Sequence, residues 1–104
     1  MVAISTDMAH YPSATTCRRV TEALVPPILA VDAPALADRE AAVREARMRG
    51  LACGMCGIEP AIVGLAALRA MGATRGTRLA SATSADADGP ADRAVGYLAV
   101  RFDA

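Results

Sequence analysis

Val2-Ala3-Ile4-Ser5-Thr6-Asp7-Met8-Ala9-His10-Tyr11 decides how the rest of the chain is read. Its opening four residues are a short apolar, partly β-branched run, and the polar Thr6-Asp7 after them predict a buried strand ending at its C-terminal edge. In open α/β sheets that edge is where sites are built. Here it gathers a carboxylate, Asp7, the single imidazole of the chain, His10, and a phenol, Tyr11. An imidazole titrates near neutrality, and a nearby carboxylate fixes its tautomer or stabilises its charged form, so the group suits general acid/base work. The bland alternative, Asp7 capping a turn and His10 sitting in a polar loop, is the stronger one on spacing alone, because a single D-x-x-H is a weak signal.

Working outward, Ser13 after Pro12 is an N-cap for a helix over about residues 13–24. Pro26-Pro27 then breaks the pattern, since neither residue donates a backbone hydrogen bond and each restricts the residue before it; any longer helix here is expected to be kinked or split. Asp32, followed by Pro34, caps a second helix to roughly residue 49, in which Leu36, Val43 and Met48 alternate with Arg/Glu pairs, and Gly50 stops it. The turn Ala52-Cys53-Gly54-Met55-Cys56-Gly57 leads to Pro60, in the first turn of a third helix ending at Met71-Gly72. Ile62, Val63, Leu65, Leu68 and Met71 leave this helix almost no polar face, so it should be buried. Two strands, over 78–83 and 94–102, flank the acidic, proline- and glycine-bearing loop 84–93. Strands alternating with helices predict an α/β layered domain, with too few strands for a closed fold.

Composition limits what such a segment can do. At 104 residues the chain is one small, partial domain, and small domains bury a lower fraction of their surface than large ones. The hydrophobic share is 54%, but much of it is alanine, and the aromatic residues are only Tyr11, Tyr97 and Phe102. At roughly 25 cal/mol per Å², burying alanine stabilises little, and the segment is expected to need something else to pack against. Net charge is zero, and arginines such as Arg18, Arg19, Arg44, Arg47 and Arg49 are interleaved with acids. No basic stripe with aromatics forms, which excludes the footprint of a nucleic-acid binder. Met1 runs straight into Val2-Ala3-Ile4 without a basic leader or apolar h-region, and no apolar run approaches membrane-spanning length, so a cytoplasmic chain with no membrane contact is expected.

Cys17, Cys53 and Cys56 are an odd, sparse set that does not form a secreted disulfide framework; free thiols or a metal ligand are the expectation. Cys53-Gly54-Met55-Cys56-Gly57 precedes a helix N-terminus, whose positive potential favours thiolate, the nucleophilic and metal-binding form. A structural zinc site lacks a second paired motif, and a thioredoxin-like pair lacks its compact βαβ unit. Small residues that let the backbone turn tightly are a sufficient explanation of the turn by themselves. Asp86-Ala87-Asp88-Gly89 with Asp92 has the look of a calcium loop, but without the closing glutamate and full spacing it is read as a solvated turn.

Four ordered segments carry a resemblance. Ser5-Thr6-Asp7-Met8-Ala9-His10-Tyr11 is similar to the "SSDxSHY" segment of the Memo family, known in prokaryotes as AmmeMemoRadiSam system protein B. Met55-Cys56-Gly57-Ile58-Glu59-Pro60 resembles its "MCGxxP" turn and Ala70-Met71-Gly72-Ala73 its "ALGA" helix end. Thr83-Ser84-Ala85-Asp86 with Val95-Gly96-Tyr97 resembles its "TSGD" and "VGY" close. The likeness spans nearly the whole chain but only the C-terminal part of a full family member. Thr6 and Ala9 replace serines, and Pro26-Pro27 falls where the family has an uninterrupted helix.

The resemblance implies a LigB-like α/β/α sandwich, here a partial one with an incomplete sheet. Its pocket is expected to hold iron or copper through two histidines and a cysteine. The cysteine maps to Cys56; His10 maps to a pocket acid/base, with Asp7 as its neighbour. Both metal-binding histidines belong to the N-terminal half, and His10 is the only histidine here. One thiolate without imidazole partners does not hold iron or copper tightly, so the chain alone is expected to be inactive and metal-free. A truncated, split or decayed gene product, or a start codon inside a longer frame, is the simplest account. Two function classes follow. In one the chain is the C-terminal part of a metal-dependent redox protein whose partner is the N-terminal half or a second copy. In the other it is a non-catalytic interaction module, associated with an AMMECR-type protein and a radical SAM enzyme. In either, apolar surface is expected to be exposed on residues 2–5 and on the third helix.

Overall fold

A computed structural model describes Ile4 and residues 6–104. The strand expected over 2–5 lies, Ile4 apart, outside the described residues. The order of elements is α1 (Ala14–Leu29), α2 (Ala33–Glu45), α3 (Ile58–Ala70), β1 (Arg75–Thr83), a short 3₁₀ turn (Ser84–Ala87) and β2 (Gly96–Asp103). This is a mixed α/β fold with an incomplete sheet.

Helix α1 starts where Ser13 Oγ accepts from Thr16 N at 3.2 Å, as the cap signal requires. Its buried residues, including Cys17, Val20, Thr21, Leu24 and Ile28, recur every three to four positions, which turns one stripe inward. The expected break after residue 24 does not occur: the helix continues through Pro26 and Pro27 to Leu29. Each proline removes a donor, so the carbonyl four residues earlier loses its helical partner. Ala23 O, the acceptor that Pro27 cannot serve, instead takes Arg39 Nη1 from α2 at 2.8 Å. The prolines' own carbonyls are used as well, Pro26 O by Ala30 N and Pro27 O by Asp32 N. Sitting in the final turn, the pair costs the helix few bonds, and a neighbouring side chain replaces one of them.

Helix α2 is capped by Asp32, whose Oδ1 accepts from Ala35 N at 3.0 Å, with Pro34 in the first turn. It ends at Glu45, short of the expected residue 49, because Arg47 adopts a left-handed conformation, φ 47°, ahead of Gly50 at φ 77°. The link between α1 and α2 passes through Val31 at φ 53°, an unusual conformation for a β-branched residue. Burial of its side chain and bonds from Arg69 Nη1 of α3 to the Ala30 and Val31 carbonyls hold it there. Helix α3 buries Ala61, Gly64 and Leu65, not its whole circumference: Val63 and Met71 are 69% and 65% exposed. The expectation of a wholly buried helix is thus corrected, and the expectation of exposed apolar surface on it is met.

Strands β1 and β2 pair antiparallel from Arg75↔Asp103 to Thr83↔Gly96, with a bulge at Leu79 between Arg78 and Ala80. Leu98, Val100 and Phe102 alternate inward on β2, while Tyr97 and Leu79 face out. Helix α1 packs on this hairpin and against α2, and α2 packs against α3. Met8, Leu24, Leu36 and Leu65 are buried at the junction, and Met8, Leu36 and Leu65 line an apolar cavity of about 100 Å³ with Ile4, Ile28, Met55 and the inward side chains of β2. A Cβ on Gly64 would collide with the Ile4 side chain, so glycine there admits the segment that carries the site onto α3. Among the described residues no helix is long and apolar enough to cross a membrane.

Candidate functional site

Residues 6–12 run between two supports. On one side Met8 N donates to Gly96 O at 2.9 Å, Gly96 N to Ala9 O at 2.9 Å, Tyr11 N to Ala94 O at 2.7 Å and Ala94 N to Pro12 O at 2.8 Å. On the other, His10 N donates to Cys53 O at 3.2 Å, Ala52 N to His10 O at 3.1 Å and Cys56 N to Asp7 O at 3.2 Å. The segment is therefore held like a strand between the start of β2 and the cysteine turn. Tyr11, at φ 74°, bends the chain out of this path immediately after His10. Left-handed backbone at a non-glycine residue persists only where the surroundings impose it, and here hydrogen bonds on both sides do so.

That path aligns Asp7, His10 and Cys56, which each offer a donor atom, all within 4.8 Å of one another. His10 Nε2 lies 3.2 Å from Asp7 Oδ2. A carboxylate only accepts, so this bond uses the Nε2–H tautomer and leaves Nδ1 with the lone pair able to take a proton. Cys56 is exposed, and its Sγ lies 3.4 Å from Thr6 Oγ1. Thr6 Oγ1 also accepts from Gly57 N at 2.6 Å, which ties the first backbone donor of α3 to the Asp7 segment. Gly57 is the N-cap of α3 and has no side chain to cap with, so Thr6 caps the helix from 51 positions away. Cys56 thus stands at the positive end of a helix, as the sequence indicates.

Tyr11 and Arg93 form the outer rim: the Tyr11 ring is tilted 40° against His10 at 5.2 Å, and the Arg93 guanidinium sits 4.5 Å over the phenol ring. The other two cysteines stand apart in character. Cys17 is buried under Ala9 O, and burial pushes its thiol up from the ordinary value of 9.0. Cys53 is pushed up as well, mainly by burial and then by the charges of Cys56 and Glu40. Both are therefore held as thiols, and neither belongs to the trio.

Donor chemistry and spacing test whether a metal fits. A thiolate with an imidazole is a set that suits iron, copper or zinc. Bonds of about 2.0–2.3 Å, however, place tetrahedral donors roughly 3.3–3.8 Å apart, tighter than the 4.8 Å within which the trio lies. Asp7 and His10 moreover spend their facing atoms on each other. Cys56 is free to ligate, while the Asp7–His10 pair is built as a hydrogen-bonded unit beside it.

Sequence reasoning singled out Asp7, His10 and Cys56, and all three meet. It missed Thr6 as a helix cap and Glu40, whose Oε1 accepts from Gly54 N at 3.0 Å beneath the cysteine turn. Glu40 looked like one more acid on a solvated face, and only its partner in the glycine-bearing turn marks it out. The acidic loop is explained without an ion: Asp86 Oδ2 accepts from Thr83 N at 2.7 Å and Oγ1 at 3.4 Å, capping the 3₁₀ turn.

Comparison with known proteins adds a lineage to this geometry. A family model described as "Memo-like protein" matches residues 1–101. A MEMO1 family protein of Methanopyrus kandleri is 33% identical over 102 residues, covering 98% of this chain and 33% of that protein. A MEMO1 family protein of Aquifex aeolicus is 28% identical over 102 residues, covering 98% of this chain and 35% of its own. The chain thus spans about a third of the length of the curated relatives it matches. No solved structure gives a significant match.

Proposed function

The chain belongs to the Memo-like family over residues 1–101, and from that premise we propose that it supplies the C-terminal part of a metal centre. In this proposal Cys56 is the thiolate ligand and Asp7–His10 the acid/base pair of the same pocket. Iron or copper is the metal, and its imidazole ligands come from residues outside this chain. The observation that carries it is the convergence of Asp7, His10 and Cys56, from segments some fifty positions apart, within 4.8 Å. Bound there, the metal would supply redox and Lewis-acid chemistry.

The chain's own residues divide the remaining tasks. Cys56 presents its sulfur from a turn fixed by Thr6, Asp7 O and the α3 N-terminus. Asp7 orients the His10 ring through Nε2 so that Nδ1 can accept a proton from a group in the pocket and return it. Tyr11 stands beside the ring, tilted against it, at the outer rim of the pocket.

Substitution in the protein reassembled with a histidine-bearing N-terminal half tests these roles. Cys56→Ser is expected to lower iron or copper affinity at least tenfold, the scale on which loss of a metal's ligand or its support acts, while His10→Ala leaves metal content unchanged. Equal loss of metal in both variants would make His10 a ligand and refute the assignment. A second reading, a non-catalytic interaction module that associates with an AMMECR-type protein and a radical SAM enzyme, is favoured by the exposure of Val63, Met71 and Leu79. It predicts partner binding that Val63→Asp abolishes and Cys56→Ser leaves intact.

A further inference from the structure

A buried carboxylate lies under the cysteine turn. Glu40 is 3% exposed, on the inner side of α2, and no partner reaches its Oε2 among the described residues. Oε1 carries two bonds, from Arg44 Nε at 2.8 Å and from Gly54 N at 3.0 Å. Arg44 is half exposed, so among the described residues the one buried donor that Glu40 serves is the backbone of the turn between Cys53 and Cys56. Gly54 is shaped for this approach, because a Cβ there would stand 2.5 Å from Glu40 Oε2 and 3.2 Å from Val43 Cγ1. Removing a carboxylate from water is costly unless it is well bonded, so a half-satisfied one on an otherwise alanine-rich helix calls for an explanation.

We infer that Glu40 is a positioning residue for the cysteine turn: through Gly54 N it clamps residues 53–56 to α2 and so holds closed the turn from which Cys56 faces Asp7 and His10. The turn has three anchors that act at different points. His10 N holds Cys53 O, Glu40 holds Gly54 N, and Asp7 O holds Cys56 N. The first and third tie the turn to the site segment alone. Glu40 is the anchor that connects it to α2, and thereby to the core around Leu36 and Val43. Without it, the stretch between the Cys53 and Cys56 bonds has no support at its middle, and the turn is free to loosen against Asp7 and His10. A hydrogen bond to a charged group is among the stronger ones in a protein, and a buried donor left without its partner adds to the loss.

The assignment of Cys56 as ligand gives this clamp its purpose, but the clamp itself is tested on thiol reactivity, which does not depend on any metal. Pseudo-first-order alkylation of the full chain by iodoacetamide, resolved by peptide mass spectrometry, follows the three cysteines separately. In the unaltered chain Cys56, exposed, should react first, Cys53 slowly, and Cys17 not at all while the fold is intact. Glu40→Ala should accelerate Cys53 by about tenfold or more, as expected for loss of a charge-assisted hydrogen bond that keeps the turn closed, with Cys17 still protected. Glu40→Gln, which retains an oxygen for Gly54 N, should restore Cys53 to within about threefold of the unaltered rate. The inference is overturned if Glu40→Ala leaves Cys53 unchanged with Cys17 protected. It is equally overturned if all three thiols accelerate by one common factor, the sign of a merely structural residue, or if glutamine fails to rescue.

Discussion

Thr6→Val removes a single hydroxyl and keeps the side-chain shape, so its cost isolates the bond by which the site segment caps α3. Thr6 Oγ1 accepts from Gly57 N at 2.6 Å, touches Cys56 Sγ at 3.4 Å and donates to Asp7 O at 2.9 Å. Gly57 offers no cap of its own, so valine leaves its N–H without a partner at the end of a thirteen-residue helix. Loss of a helix cap costs about 1 kcal/mol, and an orphaned, part-buried donor brings the total to about 1–2 kcal/mol. In a chain of this size that corresponds to a fall in midpoint on the order of 5–10 °C. Thermal unfolding followed by far-ultraviolet circular dichroism gives the midpoint, and Thr6→Ser, which keeps the hydroxyl, is the control. The serine variant should stay near the unaltered chain, and hydrogen exchange at the Gly57 amide should speed up in the valine variant alone. Equal midpoints for valine and serine would refute the cap, and with it the claim that Thr6 registers Cys56 against Asp7.

Leu65→Ala, in the buried stripe of α3 beside the apolar cavity, should lower stability by about 2–5 kcal/mol in urea titrations. A loss below about 1 kcal/mol would show that α3 is not seated against the core as described. The exposed pair Arg78–Glu22, at 2.6 and 2.9 Å, predicts a pH effect of definite sign. The hydrogen bond from Arg78 holds the Glu22 carboxyl below its ordinary value of 4.5, so the pair's contribution is present above that pH and is lost as pH falls below it. Nuclear magnetic resonance titration of Glu22 should show the depression and Arg78→Ala should remove it; an unshifted Glu22 in the unaltered chain would contradict the pair.

The legible parts of this molecule were those governed by local rules. Ser13 and Asp32 announce their helices because a side-chain acceptor beside an apolar stripe has one common use. His10 and Cys56 could be singled out because the chain has one histidine and three cysteines, and the likeness of their segments to a family's motifs brought them, with Asp7, into one pocket. What escaped was set by tertiary contacts. Pro26 and Pro27 do not end α1, since the orphaned Ala23 carbonyl finds Arg39 on another helix, a partner that no window around the prolines contains. Glu40 looks solvated in sequence because its partner, Gly54 N, is a backbone group, and backbone groups leave no trace in composition. Helix α3 lacks a polar face, yet Val63 and Met71 face outward: hydropathy reports what a helix tolerates, and the described residues cover only one side of it.

The central claim is that this chain carries one ligand and one acid/base pair of a metal centre, the remaining ligands lying elsewhere. Metal content measured by mass spectrometry after anaerobic loading with iron(II) or copper(I) and desalting tests it most directly, on the chain alone and on its complex with a histidine-bearing half. The account predicts substoichiometric metal on the chain alone and about one ion per complex, because affinity comes from several ligands acting together. Tight, stoichiometric metal on the isolated chain would contradict it, making Asp7, His10 and Cys56 a complete site, and no metal in the complex would remove the centre altogether.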